Sequence, residues 1–281
     1  MTLASTASLV VDAVERGRAV AAFNVITLEH AEAIVTGAAR ASRGVILQVS
    51  ENAVRFHGGS YTPVLAACRQ LADSATVPIA LHLDHLETEA LADEAIAAAH
   101  ELGLGSLMFD GSRLSADRNA AVTARIAHRA HVAGLWVEAE LGEIGGKDGA
   151  HAPGVRTDPD EAAAFVAATA VDGLAVAVGS SHAMAARTAS LDLDLVARLA
   201  GAVPVPLVLH GSSGVPDALL RDAVDAGIRK VNIGTALNIA GTGALRAVLA
   251  ASPAAVDPRP SLAASREAMA DVVAHFATLV G

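Results

Sequence analysis

The sequence holds one cysteine, Cys68, among 281 residues. An intramolecular disulfide and a CxxC metal site are therefore excluded, and a lone thiol fits a reducing cytoplasm. Aromatic residues make up only 2% of the chain, so the interior has to be filled by Val, Leu, Ile and the abundant Ala. Lysine is scarce, and the net charge is −10. A protein that grips nucleic acid or an anionic membrane carries the opposite balance, so neither is expected as a partner and any bound phosphate has to be held by a local site. The mean hydropathy is +0.45, yet no run of about 18 residues is free of charged or strongly polar side chains, which argues against a transmembrane helix. The first twenty residues include Asp12, Glu15, Arg16 and Arg18. They offer no apolar signal-peptide core, and a soluble, cytoplasmic protein is expected.

What is present is a thick supply of apolar residues, 53% of the chain, laid out in a repeating pattern. A short continuous apolar run is followed by a longer segment of 3.6-residue periodicity, again and again. The runs 19–25, 45–50, 79–85, 106–110, 135–141, 173–182, 206–210 and 230–235 read as strands. Being continuous and not alternating, they suit parallel strands covered on both faces. Segments 28–42, 63–75, 88–102, 116–133, 159–170, 193–202 and 216–226 read as helices, with further helical pattern over 236–251 and 261–279. Several stop at glycine, as at Gly44, Gly103, Gly134 and Gly227. About eight β–α units, spaced roughly 25–30 residues apart with no shift in composition, predict an α/β chain folded as a single (β/α)8 TIM-type barrel over residues 1–281 with an extra C-terminal helix. The competing doubly wound sheet usually carries a glycine-rich turn after its first strand, and Phe23-Asn24-Val25-Ile26-Thr27 is not one.

Chemistry in such a barrel gathers at the C-terminal strand ends, and the polar residues of these apolar strands fall there. They are Asn24, Gln48 and Ser50, His82-Leu83-Asp84-His85, Asp110-Gly111-Ser112, Glu138 and Glu140, Ser181-His182, His210, and Asn232 with Thr235. A single His at a strand end is most often a hydrogen-bonded structural residue. His100, His128, His131 and His275 lie in helical segments and read as packing or surface residues, while His30 and His57 have no evident partner. Three strands ending in His with carboxylates between them are harder to explain by packing, because such groups are costly to desolvate unless paired or bound to a cation. The pattern matches a catalytic zinc site of three imidazoles with an open fourth position. Asp84 is placed for acid/base work, and Asp110, Glu138 and Glu140 are placed to orient imidazoles. Gly211-Ser212-Ser213-Gly214 after strand 7 and Gly234-Thr235 at a helix start after strand 8 suit a phosphate cradle.

The ordered set His82-Leu-Asp-His85, Asp110-Gly-Ser112, Glu138-Ala-Glu140-Leu-Gly142 with Gly145-Gly146, His182, His210-Gly-Ser-Ser213 and Lys230-Val-Asn232-Ile-Gly-Thr235 resembles the class II, zinc-dependent ketose-bisphosphate aldolases, from Asn24 to about Arg259. The resemblance implies one Zn2+ per subunit on His85, His182 and His210, and Asp84 as the acid/base group. Asp110 and Glu140 would orient the ligands, and Asn232 would steady the enediolate oxygen. Phosphate would lie on Gly211, Ser213, Gly234 and Thr235, and sugar hydroxyls near Gln48 and Ser50, with Asn24 beside them. Arg259 would reach the far phosphate, often across a dimer interface. A monovalent cation (Na+ or K+) and a homodimer or homotetramer are also implied, as is cleavage of fructose- or tagatose-1,6-bisphosphate to dihydroxyacetone phosphate and glyceraldehyde 3-phosphate. Asp148 occupies the position of the base that exchanges the substrate proton, one methylene shorter than the usual glutamate. Ala183 stands where the family has glycine, and Met184-Ala185-Ala186-Arg187 replaces a lysine- or tyrosine-containing segment.

Other readings remain at this point: an aldolase for a different ketose phosphate, a non-catalytic sugar-phosphate binder, a metal-dependent hydrolase, or a Schiff-base aldolase. The last needs a lysine at a strand end. Only Lys230 is near one, and its reading at the start of strand 8 places it at the wrong end of the barrel.

Overall fold

The computed structural model describes residues 3–141, 156–181 and 186–281. Eight parallel strands close in chain order into a barrel: β1 Val20–Asn24, β2 Val45–Ser50, β3 Ile79–Leu86, β4 Ser106–Phe109, β5 Trp136–Glu140, β6 Gly173–Ala175, β7 Leu207–Leu209 and β8 Ile228–Ile233. The main outer helices are α2 Leu28–Ala41, α4 Thr62–Ser74, α5 Glu89–Leu102, α6 Ala116–Val132, α7 Pro159–Thr169, α8 Leu193–Ala202, α9 Asp217–Ala226 and α10 Thr235–Ala251. The extra C-terminal helix is α11, Arg259–Val280. The predicted (β/α)8 barrel and final helix are what the chain forms.

Side-chain alternation sorts every strand into two environments. Phe23, Leu47, Leu81, Leu83, Leu107, Val137, Leu209, Val231 and Ile233 belong to the apolar layer shared with the helices. Val20, Ala22, Ile46, Ala80, Met108, Trp136, Ala175 and Val208 form a second cluster inside the barrel. Continuing the inward face toward the C-terminal strand ends gives Asn24, Gln48, His82, Asp84, Glu138, Glu140, Lys230 and Asn232. The barrel is therefore apolar at one end and polar at the other, and the polar end is the mouth.

Two helices have no counterpart in the sequence reading. One is α1, Thr6–Glu15, whose N-cap Ser5 accepts a hydrogen bond from the Ser8 amide. Its Val10 packs into the inner apolar cluster, so α1 plugs the barrel floor. The other is the six-residue α3, Glu51–Phe56, capped by Ser50.

Strand 6 is shorter than expected, ending at Ala175 and not at residue 182. The following residues stay buried, but beyond Val176, whose amide still donates to Val208 O on β7, their hydrogen bonds go elsewhere. Thr157 Oγ1 accepts from the Ala177 amide at 2.8 Å, and Val178 O accepts from the Asp192 amide. Strand 8 begins two residues earlier than expected, so Lys230 is its third residue and not its first. Helix α11 is integral to the barrel. Its Val280 O accepts from the Ala19 amide at the foot of β1, and it lies so close to α2 that a Cβ on Gly37 would stand 2.4 Å from Ala270 O.

Candidate active site

The barrel mouth gathers residues from β1, β2, β3, β4, β5, β7 and β8. His85 ends the useful part of β3 with φ +53°, and the β3–β4 register breaks between Leu83 and Leu86. The turned backbone brings its ring inward. Its Nδ1–H donates to Asp110 Oδ2 at 2.9 Å, and its Nε2 lies 3.0 Å from His210 Nδ1. His210 is fully buried, and its Nε2–H donates to Glu138 Oε1 at 2.8 Å. The second Glu138 oxygen accepts from Lys230 Nζ at 2.7 Å, which also donates to Asn232 Oδ1 at 2.7 Å. Asn232 Nδ2 stands 3.1 Å from His210 Nε2.

The two carboxylates decide the imidazole tautomers. An acceptor-only carboxylate takes the proton of His85 Nδ1 and of His210 Nε2. The other nitrogens, His85 Nε2 and His210 Nδ1, then carry lone pairs aimed at one another, which is unfavourable unless a cation or a proton lies between. Two nitrogens on one tetrahedral Zn2+ are about 3.3 Å apart, close to what is seen. A ligand oxygen or nitrogen of Asp84, His85 and His210 all lie within 4.8 Å of one another, as do those of His85, Asp110 and Glu140. By donor set and tautomer the residues present fit a divalent metal.

Asp84 is buried beside this pair, and its Oδ1 has no hydrogen-bond partner among the described residues. Burial alone would raise its carboxyl, but the positive charge it faces, from His85 and His210 when they are protonated and from Lys230, outweighs burial and holds it below its ordinary 3.8. It is a carboxylate, able to accept a proton. Asn24 reaches toward Asp84 Oδ2 at 3.5 Å and accepts from Gln48 Nε2 at 3.0 Å. His82 lies beneath, fully buried, with Nδ1 2.8 Å from Ser106 Oγ. Burial first and the Lys230 charge second push its pKa well below 6.5, so it is neutral.

The candidate phosphate residues meet at the other side of the mouth. Gly211 has φ +67°, and a Cβ there would stand 2.4 Å from Ser181 O, so the turn after β7 needs glycine. Ser213 Oγ accepts from the Ala236 amide at 3.0 Å, tying that turn to the first turn of α10. Gly234 caps α10 and Thr235 is its first residue. A Cβ on Gly234 would lie 2.7 Å from Asn24 Oδ1. The α10 N-terminus thus faces the same space as Asn24 and Asp84, as an anion site requires.

Not every expected residue arrives there. Ser50 is spent as the cap of α3, accepting from the Ala53 amide at 3.3 Å, although it pairs in register with Asp84. Arg259 begins α11 with its side chain 88% exposed and held by Asp257. It lies at the far end of the α10–α11 hairpin from Thr235, a helix length of about 25 Å away. His182 and Asp148 lie outside the described residues, as do Gly142, Gly145, Gly146 and Ala183. His30 and His57, read as lacking partners, both have them. His30 bonds Thr27 and Asn238, and His57 Nε2 donates to Ile26 O at 2.6 Å.

Lys230 is the main correction. Its side chain is fully buried inside the barrel, reaching the mouth from beneath. The alternation along β8 carried this signal, since Lys230 and Asn232 are two residues apart and so share a face. Its ammonium is engaged by a carboxylate and an amide, an arrangement unlike that of a nucleophilic lysine, which needs its amine unprotonated.

A model of the family described as "Fructose-bisphosphate aldolase class-II" matches residues 4–281. A protein of Bacillus subtilis (strain 168) named "Probable fructose-bisphosphate aldolase" is 38% identical over 277 residues, covering 97% of this chain and 95% of that protein. Among solved structures, the YdjI aldolase from Escherichia coli K12 is 32% identical with a TM-score of 0.85, covering 99% of this chain and 97% of that one. Fructose-bisphosphate aldolase (Fba) from Campylobacter jejuni shares the fold, at 22% identity and a TM-score of 0.85 over 99% of this chain and 95% of that one. The chain belongs to the class II fructose-bisphosphate aldolase family, carbon–carbon lyases that are generally metal-dependent and act on phosphorylated sugars.

Proposed function

We propose that this chain, as one aldolase unit, cleaves a ketose bisphosphate, fructose-1,6- or tagatose-1,6-bisphosphate, reversibly into dihydroxyacetone phosphate and glyceraldehyde 3-phosphate. The observation that carries this reading is the convergence of His85 Nε2 and His210 Nδ1 at 3.0 Å beside a buried Asp84 carboxylate. His85, His182 and His210 would hold one Zn2+. When bound, the metal supplies Lewis-acid stabilisation of the negative charge that builds on the substrate ketone oxygen.

The protein's own groups do the rest. Asp84 accepts the C4 hydroxyl proton as the C3–C4 bond breaks, and returns it in condensation. Asp148 exchanges the proton on the dihydroxyacetone carbon. Asn232 donates its amide N–H to a substrate oxygen. Asp110 and Glu140 keep the imidazoles in place. Gly211, Ser213, Gly234 and Thr235 hold the phosphate, with Na+ or K+ beside it, and this remote binding orients the reacting carbons. Asn24 and Gln48 line the sugar hydroxyls. Arg259 serves the second phosphate from a neighbouring subunit of a homodimer or homotetramer, which suits its distance from its own mouth. A lone buried thiol at Cys68 fits the cytoplasm as its compartment.

The test is release of dihydroxyacetone phosphate from a panel of ketose mono- and bisphosphates before and after chelation. Activity on a bisphosphate that is lost on chelation and restored by Zn2+ is expected. Full activity in the stripped protein would sink the metal assignment.

A further inference from the structure

Of the 20 basic residues, only Lys147 and Lys230 are lysines; the rest are arginines. A chain so biased to arginine nevertheless places a lysine, fully buried, beneath the mouth. The two residues differ in what they can do there. An ammonium is a compact point charge with three donors that turn to their acceptors, whereas a guanidinium is a broad planar fork. Lys230 Nζ uses this freedom, donating at 2.7 Å both to Glu138 Oε2 and to Asn232 Oδ1.

Both contacts have consequences above them. Glu138 spends its other oxygen on His210 Nε2–H at 2.8 Å, so fixing the carboxylate fixes the ring and its tautomer. The Asn232 amide has two orientations that fill the same space. With Nδ2 3.1 Å from His210 Nε2, the amide would gain by turning its oxygen to that N–H. The ammonium holds the oxygen downward instead and leaves the NH2 group directed away from itself. We propose that Lys230 is a positioning residue, orienting Asn232 for donation to substrate and, through Glu138, orienting His210. The proposal rests on the function proposed above for this site, and it names a group that takes no part in bond making.

The test uses K230M and the double variant K230M/E138Q. The double variant removes cation and anion together, so no buried charge is left unpaired. Three quantities are read: Zn2+ affinity of the stripped protein by chelator competition, kcat against KM for dihydroxyacetone phosphate release, and the His210 tautomer by imidazole 15N NMR in stripped protein. Expected are a 10–100-fold loss of Zn2+ affinity, a kcat lower by on the order of ten-fold or more with KM within about two-fold, and a mixed His210 tautomer. A folded variant with the Zn2+ affinity, kcat and tautomer of the unaltered protein overturns the proposal.

Should neither variant fold, the unaltered protein still decides. With two lysines in the chain, 15N-lysine labelling resolves the Lys230 ammonium. Slow proton exchange there supports the proposal, and exchange at the rate of a free lysine amine overturns it. Failure of the parent reading looks different: the unaltered protein then neither binds Zn2+ nor releases dihydroxyacetone phosphate, whatever the lysine signal shows.

Discussion

Asp84 and His85 are consecutive residues of one strand, yet both deliver their side chains to the same pocket. A regular strand sends neighbours to opposite faces. His85 escapes the rule by adopting φ +53°, a conformation that costs a residue with a Cβ about 1–2 kcal/mol relative to glycine. The acid/base candidate and a metal-ligand candidate are thereby brought together at a price in backbone energy. In stripped protein, His85→Gly should be more stable than His85→Ala by about 1 kcal/mol, reversing the usual order in strands. Urea unfolding of the two variants checks it; an Ala variant as stable as the Gly variant would show that the turned backbone stores no strain.

Asp84 sits close enough to His85 and His210 to be counted either as a proton carrier or as a ligand. The two roles separate in Asp84→Asn. A proton carrier predicts unchanged Zn2+ content and a kcat lower by about 10²–10⁴. Loss of Zn2+ from the purified variant, measured by elemental analysis, would make the carboxylate a ligand instead.

These carboxylates and imidazoles were legible in the sequence because barrel alternation is so strict. Asn24, Gln48, His82, Asp84, Glu138, Glu140 and Asn232 all follow from counting by two along their strands. What could not be counted depends on local backbone departures. The turn at His85 needs a left-handed residue that no glycine advertises. Strand 6 ends where Thr157 and Asp192 take over its hydrogen bonds, and these partners are distant in sequence. Helix α1 has apolar residues at helical spacing, Leu9, Val10, Ala13 and Val14, but only the closed barrel reveals a floor for Val10 to plug. The Lys230 side chain was misplaced by two residues of strand boundary, enough to move it from the rim to the core.

Cys68 gives a pH dependence unconnected with the site. Burial pushes its thiol up from 9.0 to about 12. Between those values the unfolded chain releases the proton and the native chain keeps it. The native state then binds more protons, so stability falls as pH rises through this window, while below about 9 the contribution is flat. The drop in urea midpoint between about pH 8.5 and 10.5 should be larger for the unaltered protein than for Cys68→Ala. Equal drops would mean that the native thiol titrates as freely as the unfolded one. In keeping with burial, iodoacetamide at pH 8 should label Cys68 only as fast as the protein opens.

The final helix offers a separate test, because its docking relies on the absence of a side chain at Gly37. A methyl group there would come within 2.4 Å of Ala270 O and 2.6 Å of Val273 Cβ. One neighbour is backbone and the other a stiff β-branched side chain, so neither yields by a rotamer change. Gly→Ala in a helix interior is otherwise stabilising by roughly 0.5–1 kcal/mol, which makes the sign of the effect informative. Overpacking should win, with Gly37→Ala destabilised by about 1–3 kcal/mol and its thermal midpoint lowered by several degrees. The mouth is untouched by this change, so Zn2+ affinity and KM should stay as in the unaltered protein. A raised midpoint would instead mean that α11 stands further from α2 than these distances require.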